Sequence, residues 1–220
     1  MKNYPICYII AAMDPGNNIT YNKGDGDIVI AADAGLKFAD KLGLAPDIAV
    51  GDFDSLGYTP NKTPHIVYPK EKDDTDTMIA VKYGISKGYR RFIIVGALGG
   101  RLDHSIANIQ TLSYLASNNA VGLIHDEYCS VIVIENTEID FPADFQGNIS
   151  VFSLTDKSEI SISGLKYNLN HKILQSDFPL GVSNEFIAQN ASVKVYSGKI
   201  MIICEQRMSF DNITLKKTVY

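Results

Sequence analysis

The stretch "DIVIAADAGLKFADKLGLAPDIAVGD", residues 27–52, carries a strand, a helix and a second strand in one piece. Residues 28–32 form an unbroken apolar run of strand length. "AGLKFADKLG" then places Leu36, Ala39 and Leu42 on one helical face, with Gly43 positioned to cap its end, and "APDIAVGD" supplies the next apolar run. Strands of this wholly apolar kind, joined through a helix, predict parallel pairing with helices covering the sheet.

Outward from this unit the alternation continues. "DTDTMIAVKYGISKG" reads as a helix opened by acidic residues, which suit both capping and the macrodipole, and closed by Gly88. "RRFIIVGA" is a strand of buried type, and "RLDHSIANIQTLSYLA" is a helix with Ile106, Ile109, Leu112 and Leu115 at three-residue steps. "VGLIHD" closes the series. Beyond about Asp126 helical periodicity disappears, and "CSVIVIE", "NISVFSL", "SEISIS", "ASVKVYS" and "KIMIIC" follow at close spacing between polar or glycine-containing turns. That is the pattern of an antiparallel sandwich. "VYSGKIM" reads as a hairpin turning at Ser197 and Gly198. The expected class is α/β, an N-terminal parallel-sheet α/β domain (residues 1–126) followed by a C-terminal antiparallel β-sandwich domain (residues 127–220), with the boundary near residues 125 to 130.

Composition sets limits on partners. The 220 residues are 45% apolar and 20% charged, ordinary for a globular protein with a sizeable core. With 25 acidic and 20 basic residues the net charge is −5, which provides no broad basic footprint for nucleic acid or anionic lipid. Cys7, Cys129 and Cys204 lack metal-ligand spacing and read as reduced thiols of a cytoplasmic protein. "MKNYPICYIIAAM" is followed by the turn-like "DPGNN" rather than a cleavage site, so a first strand is expected there. No apolar run approaches the ~18 to 20 residues of a membrane span.

The acidic residues of the first half are placed systematically. Asp33 follows "IVIAA", Asp52 and Asp54 follow "IAV", Asp73, Asp74, Thr75 and Asp76 open a helix, and Asp103 follows the strand and loop "FIIVGALGGR". Each alone has a plainer meaning: Asp33 and the cluster at 73–76 as helix caps, Asp52 and Asp54 as a turn pair. Together they fall near the carboxyl ends of parallel strands, where open α/β sheets bind ligands. Crowded carboxylates repel unless a cation sits among them, and oxygen-only ligands favour Mg²⁺ over zinc.

"GALGGRLDH" is a second cluster of chemistry. Gly96, Gly99 and Gly100 allow close backbone approach to a ligand, helix-start amides favour phosphate, and Arg101 adds a two-pronged phosphate donor beside Asp103 and His104. The loop is neither a Walker A sequence nor a Gly-x-Gly-x-x-Gly fingerprint, and a plain glycine turn is its simpler meaning. Carboxylates together with a glycine-arginine loop suit a Mg²⁺-bound polyphosphate.

The blocks "AADAGLKFADKLGLAPDIAVGDFDSLG", "YPKEKDDTDTMIAVKYG" and "IIVGALGGRLDHSIANIQTL", in this order, resemble the signature blocks of the thiamin pyrophosphokinase family, and "GLKYNL" and "GVSNEF" resemble its C-terminal blocks. The resemblance implies an ATP- and Mg²⁺-binding α/β domain, a thiamine-binding β-sandwich domain, and transfer of the terminal diphosphate of ATP to the thiamine hydroxyl with release of AMP. It implies a homodimer whose thiamine pockets are shared between subunits. By position, Asp52, Asp54, Asp76 and Asp103 would hold Mg²⁺ and polyphosphate, with Asp73 a further ligand and Asp33 close by. Arg101, His104, Gly99 and Gly100 would contact phosphate, Thr75 would line the nucleotide site, and Ser183 and Asn184 would contact thiamine. Without the resemblance, "VSNE" is an ordinary turn. Asp-Phe-Asp-Ser also suits the nucleophile loop of a haloacid-dehalogenase-type phosphatase or the metal-holding pair of a glycosyltransferase. A binding module without turnover is the non-enzyme alternative.

Overall fold

The computed structural model describes residues 4–17 and 19–218. The chain divides into two compact units, Met1–Glu127 and Tyr128–Tyr220.

The first unit is built on β1 (Ile6–Ile10), β2 (Ile28–Ala32), a 3₁₀ turn (Asp33–Phe38), α1 (Ala39–Leu42), β3 (Ile48–Gly51), β4 (His65–Val67), α2 (Asp76–Ser86), β5 (Arg91–Val95), α3 (Leu102–Ser117) and β6 (Val121–His125). Its six strands are all parallel, in the order β6-β5-β1-β2-β3-β4. The strand expected within residues 1–13 is β1; residues 1–3 lie outside the described residues. Sequence neighbours β1 to β4 run to one side, while β5 and β6 lie on the other side of β1. The winding therefore reverses at β1, which opens a crevice at the carboxyl ends of the central strands.

Three helical expectations change in detail. Residues 34–43 were expected as one helix but form the 3₁₀ turn and a single α turn, ended as expected by Gly43 at φ 68°. Asp33 starts this turn at φ 45° without capping it by its side chain. On α3 the buried face is Asn108, Thr111, Leu112 and Leu115, while Ile106 is exposed. Three-residue steps advance only about 300°, so residues at that spacing drift about 60° per step, and Ile106 ends up across the helix from Leu115. Helix α2 is capped by Thr75, whose Oγ1 accepts from the Met78 N–H at 3.2 Å, rather than by an acid. No helix among the described residues is long and apolar enough to cross a membrane.

The second unit holds β7 (Ser130–Glu135), β8 (Thr137–Phe141), β9 (Asn148–Ser153), β10 (Lys157–Ser163), β11 (Leu169–Gln175), β12 (Gly181–Glu185), β13 (Ala191–Ser197), β14 (Lys199–Cys204) and β15 (Thr214–Lys217). Its strands pair antiparallel in two sheets, β12-β9-β14-β7 and β11-β10-β13-β8-β15. Phe141, Phe145 and Phe186 form a buried three-ring cluster with each pair of centroids 5.3 Å apart, tilted or edge-on as aromatic quadrupoles favour.

The expected hairpin at Ser197 and Gly198 is not one. β13 pairs with β10 and β8, whereas β14 pairs with β7 and β9, so Gly198 carries the chain from one sheet to the other. Its φ is 81°, and a Cβ there would lie 2.4 Å from Ser158 Oγ and 2.5 Å from Thr155 Oγ1, so the corner requires glycine. "VSNE", which reads locally as a turn, lies in β12.

Candidate active site

The crevice is a cavity of about 440 Å³ formed wholly within the first unit. Each central strand delivers one piece of it. Beyond β1 come Ala11, Ala12 and Met13; beyond β2, Asp33; beyond β3, Asp52 and Asp54; beyond β5, Gly96; the starts of α2 and α3 add Thr75, Asp76, Arg101 and His104, and Asn108 reaches it from farther along α3.

The aspartate pair is presented by the residue between them. Phe53, at φ 60°, is 3% exposed and packs against Ala31, Ala49, Leu56 and Leu36. Burying that ring fixes a tight left-handed turn, in which the Asp54 N–H donates to Asp52 Oδ1 at 3.1 Å. Asp33 faces the pair: one carboxylate oxygen from each of Asp33, Asp52 and Asp54 lies within 4.8 Å of the others. Asp33 is 5% exposed, and its Oδ1 is buried without a hydrogen-bond partner.

Two lysines balance the carboxylates. Lys70 Nζ lies 2.8 Å from Asp54 Oδ2, and Lys72 Nζ lies 2.9 Å from Asp52 Oδ2 and 3.1 Å from Asp76 Oδ1. The Lys72 contact to Asp76 is out of line for a hydrogen bond. Burial holds the Asp76 carboxyl above the ordinary carboxylate range; Lys72 opposes this, and the charges of Asp33 and Asp52 add to it. Hydrogen bonds from Lys70 and Ser55 hold Asp54 below that range. For Lys72, burial disfavours the ammonium, but Asp52 and Asp76 outweigh it and raise its pKa.

The expected residues do not all gather here. Asp33, Asp52, Asp54, Thr75, Asp76, Arg101 and His104 line the cavity, whereas Asp73, Asp103, Gly99 and Gly100 do not. Asp103 is exposed and paired with Arg101, whose Nε donates to its Oδ1 at 3.2 Å. That pairing holds Asp103 below its ordinary pKa. In the second unit Asn184 is an internal clip: its Oδ1 accepts from the N–H groups of Tyr167 (3.0 Å) and Glu185 (2.9 Å), and its Nδ2 donates to Tyr167 O at 2.7 Å. Three bonds within the fold leave it little capacity for thiamine. Ser183 is exposed at φ 59°. Lys70, Lys72 and Asn108 escape a reading by sequence position. Asn108, buried on α3 with Nδ2 on Ala97 O at 2.7 Å, is legible only as a polar residue on the apolar face.

Chemically, an all-oxygen donor set in which Asp33 Oδ1 and Asp76 Oδ1 are buried without a hydrogen-bond partner fits a hard divalent cation. Arg101, His104 and the amino end of α3 on the same cavity fit phosphate.

Comparison with known proteins agrees with this geometry. The family model described as "Thiamin pyrophosphokinase, catalytic domain" matches residues 9–123, and "Thiamin pyrophosphokinase, vitamin B1 binding domain" matches residues 136–200. The chain is similar to thiamine pyrophosphokinase of Bacillus subtilis (strain 168), 29% identical over 182 residues covering 79% of this chain and 85% of that one. It is 28% identical over 179 residues to thiamine pyrophosphokinase 1 of Oryza sativa subsp. japonica, covering 74% and 66%. Among solved structures it resembles the Bacillus subtilis thiamine pyrophosphokinase, with a TM-score of 0.79 and 25% identity over 92% of this chain and all 100% of that one. The yeast enzyme shares the fold at a TM-score of 0.71 and 14% identity, over 93% and 87%. With a crevice of carboxylates at the strand ends and the catalytic-domain match spanning residues 9–123, the chain belongs to the thiamin pyrophosphokinase family.

Proposed function

We propose that the cavity binds ATP with Mg²⁺ and that the chain transfers the terminal diphosphate of ATP to the hydroxyl of thiamine, giving thiamine diphosphate and AMP. The observation that carries this reading is the trio Asp33, Asp52 and Asp54, with oxygens within 4.8 Å of one another, beside Arg101 on the same cavity. Mg²⁺ bound there would neutralise polyphosphate charge in an acidic protein.

The chain's own residues then have distinct tasks. Asp33, Asp52 and Asp54 would hold the cation, with Asp76 beside them. Arg101, Lys70, His104 and the amino end of α3 draw in the phosphates, Arg101 exchanging Asp103 for phosphate oxygens. The thiamine hydroxyl oxygen bonds to the β-phosphorus as the bond from that phosphorus to the α,β-bridging oxygen breaks, and AMP leaves with the electron pair. The hydroxyl proton passes to a carboxylate. Asp76 suits this task, because burial already favours its protonated form. No covalent protein nucleophile is required.

A homodimer with shared active sites, Ser183 as a thiamine contact and a cytoplasmic location complete the reading. Family resemblance supports the first two, and three cysteines without a disulfide suit a reducing compartment. The net charge of −5 supports small-molecule partners over nucleic acid or membrane. The test is incubation with Mg²⁺, ATP and thiamine, with nucleotide and thiamine products resolved together. AMP appearing with thiamine diphosphate is expected; ADP, free phosphate or no turnover overturns the reading.

A further inference from the structure

Lys72 is the least exposed cation lining the cavity: 14% of its side chain is accessible, against 78% for Lys70 and 69% for Arg101. Its ammonium sits between two carboxylates, 2.9 Å from Asp52 Oδ2 and 3.1 Å from Asp76 Oδ1. Both oxygens of Asp52 are thereby engaged, since Oδ1 accepts the Asp54 N–H at 3.1 Å. Yet Asp52 is also one of three carboxylates, with Asp33 and Asp54, that each bring an oxygen within 4.8 Å of the others, and Asp33 keeps a buried oxygen without a partner. A dication held by that trio would crowd the ammonium on Asp52, and two positive charges at such range repel strongly when water is largely excluded.

We propose that Lys72 is a built-in stand-in for the divalent cation, bridging Asp52 and Asp76 while no cation is bound and leaving that bridge when one is. This inference rests on the reading of the cavity as a Mg²⁺-polyphosphate site. The physical need is clear from the charges. Asp33, Asp52 and Asp76 repel one another, and Asp52 and Asp76 are only 15% and 26% exposed. Without a counter-charge such a group would splay apart or protonate. A lysine suits the task better than an arginine: its ammonium is a point charge on a flexible four-carbon stem, able to keep two carboxylates in place and then swing along the wall to an incoming anion. Lys72 is thus a positioning residue for the cation ligands. Lys70, which holds Asp54 from solvent, is the natural comparison.

The experiment titrates Mn²⁺, read by electron paramagnetic resonance without nucleotide, into wild type, Lys72→Met, Lys72→Gln and Lys70→Met. Removing Lys72 is expected to tighten Mn²⁺ binding about tenfold, the order expected when a partly desolvated ion pair no longer has to be broken. Removing the exposed Lys70 is expected to change it less than about threefold. The cation-free Lys72 variants are expected to melt below wild type and to regain the difference with Mn²⁺. A merely structural lysine would weaken Mn²⁺ binding when removed. Unchanged or weaker binding in both Lys72 variants, or equal tightening in Lys70→Met, overturns the exchange. Wild type that binds no Mn²⁺ instead overturns the site reading itself.

Discussion

Gly51 stands directly against Asp33: a Cβ on residue 51 would lie 3.1 Å from Asp33 Cβ and 3.2 Å from both its Cα and its N. The glycine at the end of β3 leaves room for the Asp33 backbone, which sits in a left-handed turn at φ 45°. Gly51→Ala is expected to shift Asp33 and cost about 1–3 kcal/mol, because the φ of 150° at residue 51 also disfavours a side chain. Mn²⁺ affinity and chemical denaturation check this together. Wild-type affinity with wild-type stability would show that the close packing has no bearing on Asp33.

Asp52→Asn keeps the size of the side chain and its reach to the Asp54 N–H, but removes the charge that a cation needs. Turnover is expected to fall by about 10²-fold or more, the scale at which single electrostatic contributors to catalysis act. The melting temperature should stay close to that of wild type. Turnover near normal removes Asp52 from the cation site.

Glu205 offers a pH dependence in the second unit. Its carboxylate accepts from the side-chain Nδ2 of Asn148 at 2.8 Å and from the Asn148 N–H at 2.9 Å, and these bonds hold its pKa below the ordinary value of 4.5. A depressed folded-state pKa means that stability is fully present above the unfolded value and is lost as pH falls through the folded one. Melting temperatures taken from pH 6 to pH 3 should therefore fall more steeply for wild type than for Glu205→Gln. Parallel curves would deny the contribution.

Burial pushes the thiols of Cys7 and Cys204 far above their ordinary range, with Asp27 adding to the effect at Cys7 and Cys129 at Cys204. Thiolate is the reactive form. A thiol reagent at pH 8 is expected to label no more than one cysteine of the native chain, Cys129, and all three after denaturation. Rapid labelling of two or more in the native state contradicts the packing of β1 or β14.

How far the chain announces itself in its sequence depends on the range of the interaction concerned. The apolar runs of β2, β3 and β5 are local, and they reveal the parallel unit without help. The face of α3 is legible in period but not in phase, because Ile106 belongs to the apolar count and not to the buried side. The corner at Gly198 cannot be read locally, since a turn within one sheet and a crossing between two use the same residues. Lys72 is the sharpest case. In "YPKEKDDTD" it is one more charge in a polar run, and its meaning comes from Asp52, 20 positions away. Asp33 needed Gly51, Asn184 needed Tyr167, and Asp103 was drawn off by Arg101; in each case a partner decides whether a polar side chain is free for chemistry.

The crossing at Gly198 has one more consequence, for counting. In β13 the buried residues are the odd ones, Ala191, Val193 and Val195; in β14 they are the even ones, Ile200, Ile202 and Cys204. A single residue performs that change of parity. Because side chains alternate with period two, inserting or deleting one residue there would turn the inward side chains of β13 or β14 toward water. The two layers of the sandwich therefore cannot slip independently: their alignment is stored in the length of a one-residue link.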